Sequence, residues 1–264
     1  METIGLIGGD FQHARSSTLW KAPSFFNWDK GVVQDRTFYV DQAIIDNMNV
    51  PGIKYGWVVE SRVIIPNVIT EFKKRYKEIS QSYKYVFTHY KELYDLADNF
   101  IYLPPHGYWI ESPNLYPKTK LVSMISSSKN MGPGHVYRLN WVNKLMGKVD
   151  IFGRGIRDMG RKEEALCDYM FSVTIENDQY ETYWTEKILD CFVTGTVPVY
   201  HGAPDLSKYF NMDGIIILTD DFDPSKLSRE LYDSMMPAIE DNFQRALQTY
   251  MIEDIIYENY LNEV

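Results

Sequence analysis

FSVTIENDQYETYWTEKILDCFVTGTVPVYHG, residues 171–202, reads as strand, loop, helix, strand. FSVTIE (171–176) is a short apolar, β-branched run, the pattern of a strand buried on both faces. Glu176-Asn177 closes it, and a polar, aromatic loop, NDQYETYW, follows. Thr185 then stands where a helix N-cap belongs. TEKILDCFVTG (185–195) has helical spacing and stops at Gly195, and TVPVYHG (196–202) is a second strand. Strands joined through helices lie parallel, in a sheet covered on both faces.

The same alternation extends in both directions. Upstream, KLVSMIS (120–126) and VDIFG (149–153) read as strands, with HVYRLNWVNKLMG (135–147) and RKEEALCDYM (161–170) as helices. Downstream, GIIIL (214–218) is a strand, and one long helix is predicted from about Pro237 to Leu261. In the first half, TIGLIG (3–8), IKYGWVVE (53–60), KYVFTH (84–89) and NFIYLP (99–104) read as strands. NVITEFKKRYKEISQSY (67–83) and YKELYDLA (90–97) read as helices. PPHGYWIESPNLYPKTK (104–120) has four prolines and no periodicity, so it reads as a linker. The expectation is an α/β protein of two Rossmann-like domains facing a cleft. An N-terminal domain spans 1–108 and a C-terminal domain spans 109–264, with the last helix able to cross back.

Composition narrows the chemistry. Across 264 residues, 27 Lys+Arg against 36 Asp+Glu leave a net charge of −9. That argues against a general nucleic-acid binder, whose affinity rests on neutralising phosphates. It leaves room for one local basic pocket. Cys167 and Cys191 form no CxxC and sit in apolar, helix-like runs, so they read as buried free thiols of a reducing compartment. No apolar run reaches the roughly 18 residues of a membrane helix, and the start lacks a secretory pattern. A cytoplasmic protein with no integral membrane segment is the expectation.

Ligands of open α/β sheets bind beyond the carboxyl ends of strands. That places Glu176-Asn177 and Gly153-Arg154-Gly155 at a site. The helix opening at Thr185-Glu186-Lys187 offers free N–H groups and a cation, and Arg154 adds a forked donor. Together they make a pocket for a diphosphate. A plainer reading stands beside it: Glu186 in a first helical turn complements the dipole in any protein, and Lys187 could be a solvated side chain. Asp221-Phe222-Asp223 looks like a metal-binding D-x-D, but Asp223 precedes Pro224 and reads as an N-cap. No metal is therefore expected to be obligatory, although a divalent cation could stimulate.

Residues 171–210 resemble the signature of the α-1,3-fucosyltransferase family, glycosyltransferase family 10. That signature runs F-x-F-E-N-S, a loop, Y-[IV]-T-E-K, a helix, then G-[TS]-[VI]-P-V-x-x-G. VDIFGR (149–154) resembles the family's strand before it. Arg138, seven before Leu145, resembles its R-x(6)-L helix after a serine-bearing strand end, here Ser126. GWVVES (56–61) resembles its E-S-P segment. The resemblance implies the GT-B type of fold, with 1–108 as the acceptor-side domain and 109–264 as the donor-binding domain, and inverting transfer of a sugar, usually fucose, from a GDP-sugar to a glycan hydroxyl. It implies donor-binding roles for Glu176, Asn177, Tyr183, Thr185, Glu186, Lys187, Arg138, Ser126 and Arg154, with Arg157 the alternative to the last. It implies Glu60 as general base. His13, Trp20 and Trp28, in the loop region after the first strand, are acceptor-contact candidates. The sequence departs from the signature at Asp178, Trp184, His201 and Arg62. Another hexose on the same GDP pocket, or a non-catalytic binding module, stays open on these grounds.

Overall fold

The computed structural model describes residues 1–9, 14–18 and 21–262. The chain divides into two compact units. The first runs from Met1 to Gly107 and takes in Glu181–Tyr183 and the chain from Met251 onward. The second holds Tyr108–Tyr180 and Trp184–Tyr250.

The first unit is built on β1 (Glu2–Ile7), β2 (Phe26–Lys30), β3 (Arg36–Val40), β4 (Ile53–Val58), β5 (Tyr85–Thr88) and β6 (Phe100–Tyr102). They form one parallel sheet in the order β2-β1-β3-β4-β5-β6. Helices α1 (Gln42–Asp46), α2 (Pro66–Ser82) and α3 (Lys91–Tyr94) follow β3, β4 and β5. Neither β2 nor β3 is among the strands expected from the sequence. Their connection explains the omission: only residues 31–35 join them, on opposite sides of β1, with no helix to signal a crossover. The short connection passes close over β1 at Gly5, where a Cβ would lie 2.6 Å from Val32 O. Phe38, Tyr55, Trp57 and Phe87 fill the core above this sheet.

The second unit carries β7 (Lys120–Ile125), β8 (Asp150–Phe152), β9 (Tyr169–Ile175), β10 (Val197–His201) and β11 (Ile216–Ile217), again all parallel, in the order β11-β10-β9-β7-β8. Its helices are α4 (Pro133–Leu145), α5 (Glu163–Leu166), α6 (Glu186–Phe192), α7 (Arg229–Ser234) and α8 (Met236–Leu247). All seven residues of β9 are buried, as its continuous apolar run requires. In each unit the strand order reverses beside the first strand, between β1 and β3 and between β7 and β9. Those are the crevices where open α/β sheets take ligands.

Two expectations change. The long final helix is broken: α8 ends at Leu247, residues 248–251 are non-helical, and α9 (Ile252–Ile256) continues into a π-turn, Tyr257–Leu261. The apolar residues of the two pieces serve different cores. Ala246 belongs to the second unit's core, while Ile252, Ile256 and Leu261 belong to the first unit's. The proline-rich stretch 104–120 is not a loose linker. Tyr108 and Ile110 are buried, and the Lys118 ammonium donates to Leu166 O, Cys167 O and Thr194 O, tying down the ends of α5 and α6.

Candidate functional site

Glu176 leaves the end of β9 with no solvent exposure. A buried carboxylate is tolerable only if its oxygens are satisfied. Thr185 donates both its amide (3.0 Å) and its hydroxyl (2.8 Å), and Lys187 Nζ lies 3.2 Å away. Gly202 makes room: a Cβ there would stand 2.6 Å from Glu176 Cγ and 2.3 Å from the Tyr200 hydroxyl. Thr185 is the N-cap foreseen, its Oγ1 accepting from Lys187 N at 3.3 Å. Glu176 thus takes the amide and hydroxyl of the cap, and the cap hydroxyl takes the Lys187 amide. Beside this turn stands the partly exposed Lys187 ammonium.

Lys187 also faces Glu186 at 3.3 Å. The same Glu186 oxygen is 3.4 Å from Lys162, which is 2.6 Å from Asp190. Asp190 takes the amide of Trp109 at 2.6 Å, and the Trp109 ring lies under Lys162 at 4.2 Å. Burial pushes the Asp190 carboxyl up to about 6, against the pull of Lys162. Burial works against the Lys162 ammonium, but Asp190 and Glu186 outweigh it and hold Lys162 above its ordinary value. The pair is ionised at neutral pH.

The facing wall comes from β7, β8 and α4. Arg138, on α4, donates to Ile175 O at 2.6 Å and to Asn177 Oδ1 at 2.9 Å, fixing the end of β9. Gly134 admits this approach, since a Cβ would stand 2.2 Å from Asn177 O. Gly153, at φ 127°, lets β8 close on β7, where a Cβ would meet Ser126 O at 1.7 Å. Ser126 is buried, and its hydroxyl donates to Ser127 O at 3.3 Å. Arg154 leaves β8 exposed to solvent, while Arg157 lies 4.5 Å over the Phe152 ring. The sequence reading missed His135, in the first turn of α4. It is buried, and its Nδ1 has no hydrogen-bond partner. Burial, then Arg138, Lys129 and Lys187, lower its pKa. The signal was Gly132-Pro133-Gly134 directly before it, a close-approach turn opening a helix.

Of the donor candidates, Tyr183 groups with the first unit, its ring 5.3 Å from buried His89. Glu60 stands just past β4, as the sequence suggests. Buried Asp41 accepts the amides of Val59 (2.9 Å) and Glu60 (3.3 Å), and Tyr90 donates to Glu60 O at 2.9 Å. Asp41 adopts φ 49°, a cost met at sites that over-determine it. Glu60 does not cap α2, whose N-cap is Ile65. Trp28 is not in a loop. It lies on β2, edge-on to Phe26 and Phe38, with Nε1 donating to Glu253 at 3.4 Å. The aromatic run Phe26-Asn27-Trp28 opens this edge strand. His13 and Trp20 lie outside the described residues. Two departures from the signature have packing partners: Trp184 is buried against Phe210 at 5.1 Å, and His201 stacks on Tyr137 at 4.3 Å. Asp223 caps a 3-10 turn, accepting from Ser225 N at 3.0 Å. Among the described residues no cluster of His, Cys, Asp and Glu suits a metal, and no helix is long and apolar enough to cross a membrane.

Two Rossmann-like units, with a cation and buried carboxylates at the reversal point of the second sheet, make a GT-B fold. Solved structures agree on the fold. An α-1,3-fucosyltransferase crystallised with GDP-fucose aligns over 100% of this chain and 83% of its own, at TM-score 0.51 and 16% identity. A second crystal structure of an α-1,3-fucosyltransferase gives a TM-score of 0.53 over 94% of this chain and 80% of its own, at 15% identity. Residues 115–242, just under half of the chain, match the model of the glycosyltransferase family 10 (fucosyltransferase) C-terminal region. The α-(1,3)-fucosyltransferase FucT of Helicobacter pylori is 28% identical over 141 residues, 48% of this chain and 30% of that protein. The human 4-galactosyl-N-acetylglucosaminide 3-α-L-fucosyltransferase 9 is 29% identical over 140 residues, 48% of this chain and 38% of that protein. The chain thus spans well under half the length of these curated relatives.

Proposed function

We propose that this chain transfers a sugar, fucose first among the options, from a GDP-sugar to a glycan hydroxyl, with inversion and without an obligatory metal. The observation that carries the reading is the Glu176–Thr185–Lys187 cluster at the reversal point of the second sheet, inside the family-matched segment. Lys187 is partly exposed and already oriented, so it can receive a diphosphate without rearrangement. Arg138 and the first turn of α4 bring further positive potential to the same crevice. Glu60 is the base in this reading, since it stands at a carboxyl-end strand exit with its backbone fixed by Asp41 and Tyr90. With two or more cations to stabilise the leaving diphosphate, a divalent ion is an aid rather than a requirement.

Calorimetry with GDP, UDP and GDP-fucose tests the donor. GDP should bind better than UDP, and Lys187→Ala should weaken GDP by about 1.5–3 kcal/mol, the worth of a hydrogen bond to a charged group. Equal GDP affinity in a folded Lys187→Ala variant would remove the assignment. Glu60→Gln should lower turnover by roughly 10²–10⁴ with donor affinity near normal.

A further inference from the structure

Lys162 lies outside the family signature, in the RKEEALCDYM run that reads as a helix. In the structure it is the cation on which two carboxylates of α6 converge. Glu186 and Asp190 are four apart, so they share a helix face, where like charges repel. Both are buried. Lys162 Nζ stands 2.6 Å from Asp190 and 3.4 Å from Glu186, and Trp109 closes the assembly with its ring and its amide.

We propose that Lys162 is a positioning residue for the anion site: anchored by Asp190, it holds Glu186 and so leaves Lys187 available to a diphosphate. The proposal rests on the donor reading above. Lys187 faces two carboxylates, Glu176 at 3.2 Å and Glu186 at 3.3 Å. Glu176 cannot yield, being held by the amide and the hydroxyl of Thr185. Glu186 can, because a second ammonium lies at 3.4 Å on its other side. When a diphosphate takes Lys187, the Glu186 charge is still offset in part by Lys162, which it shares with Asp190. Without Lys162, the carboxylates of Glu176, Glu186 and Asp190 would face the Lys187 ammonium alone, and the arriving anion would meet one more unit of net negative charge at short range in a poorly solvated place. A purely structural Lys162 would bolt α6 to the loop before β9 and leave anion affinity alone.

Calorimetric titration with inorganic pyrophosphate and with GDP separates the two. Lys162→Met should weaken both ligands about tenfold, and Lys162→Arg should recover most of the loss, the scale of one charge-assisted hydrogen bond. Pyrophosphate has no ribose, so it reads the anion site alone. Glu186→Gln, which frees Lys187 from one competitor, should bind pyrophosphate more tightly, and adding Lys162→Met to it should cost little further. A folded Lys162→Met protein with a lowered Tm and unchanged pyrophosphate affinity overturns the proposal. If that variant does not fold, unchanged or weaker pyrophosphate binding by Glu186→Gln overturns it instead. Pyrophosphate binding that falls in Lys162→Met while GDP never binds upholds the relay and sinks the GDP reading. A wild-type protein that binds neither ligand removes both.

Discussion

His89 shows how strongly one buried residue can tie this fold to pH. It is fully buried at the end of β5, with Nε2 3.2 Å from Val59 O and its ring against Tyr90 and Tyr183. Burial, reinforced by His106, pushes its pKa down to about 3. The unfolded chain binds a proton near pH 6.5 and the folded one does not, so this contribution is intact above pH 6.5 and is lost as pH falls toward 3. At pH 5 the loss is about 2 kcal/mol, from 1.5 pH units at 1.36 kcal/mol each. Thermal melts of wild type and His89→Gln between pH 7.5 and 5 check it: the wild-type Tm should fall more steeply. Glu176 gives the matching expectation for the second unit. Glu176→Ala strips Thr185 and Lys187 of their acceptor and should cost about 3–5 kcal/mol, the range for breaking one side of a buried pair. Chemical denaturation would show it.

At the level of elements, the closest approaches are made by glycines. Gly153 combines φ 127° with a Cβ position 1.7 Å from Ser126 O, so Gly153→Ala must push the ends of β7 and β8 apart. The cost should exceed about 3 kcal/mol, combining backbone strain with a clash, and GDP affinity should fall with it. Gly147→Ala is the control, because Gly147 also has a positive φ, 74°, but nothing within 4 Å. How much of this was legible in the sequence follows from how each part is signalled. The second unit alternates strand and helix, and each helix announces a parallel neighbour, so its strands could be read. β2 and β3 could not, because their crossover runs over Gly5 in five residues without a helix. In the candidate site, Thr185, Glu186 and Lys187 are consecutive and Glu176 stands at a strand end, so their grouping was legible in the sequence. Lys162 and Asp190 are 28 apart, and only the fold shows that a surface-like lysine faces α6. The break after Leu247 was hidden because the apolar spacing continues through it while the core being served changes.

The whole molecule is organised by a chain that returns. From Met251 it joins the first unit, where Ile252, Ile256 and Leu261 are 0–2% exposed. Glu253 receives the amide and hydroxyl of Ser17, Asp254 receives the amide of Ser24, and Arg36 donates to Leu261 O at 2.8 Å. At about 1.5–3 kcal/mol per fully buried aliphatic side chain, the three residues contribute roughly 5–9 kcal/mol, comparable to the whole stability of a domain. A chain ended after Tyr250 should therefore show calorimetric melting of the second unit and no cooperative transition for the first. A single transition of full enthalpy would contradict this. The return has a further consequence on the ribosome. Domains generally fold in the order in which they are made, at about 5–20 residues per second. Here every residue of the second unit has been made before Met251, whereas the first unit still lacks part of its core. The first unit, made before the second, should close after it, leaving β1 to β6 as open, apolar strands in need of chaperone cover until the segment from Met251 arrives.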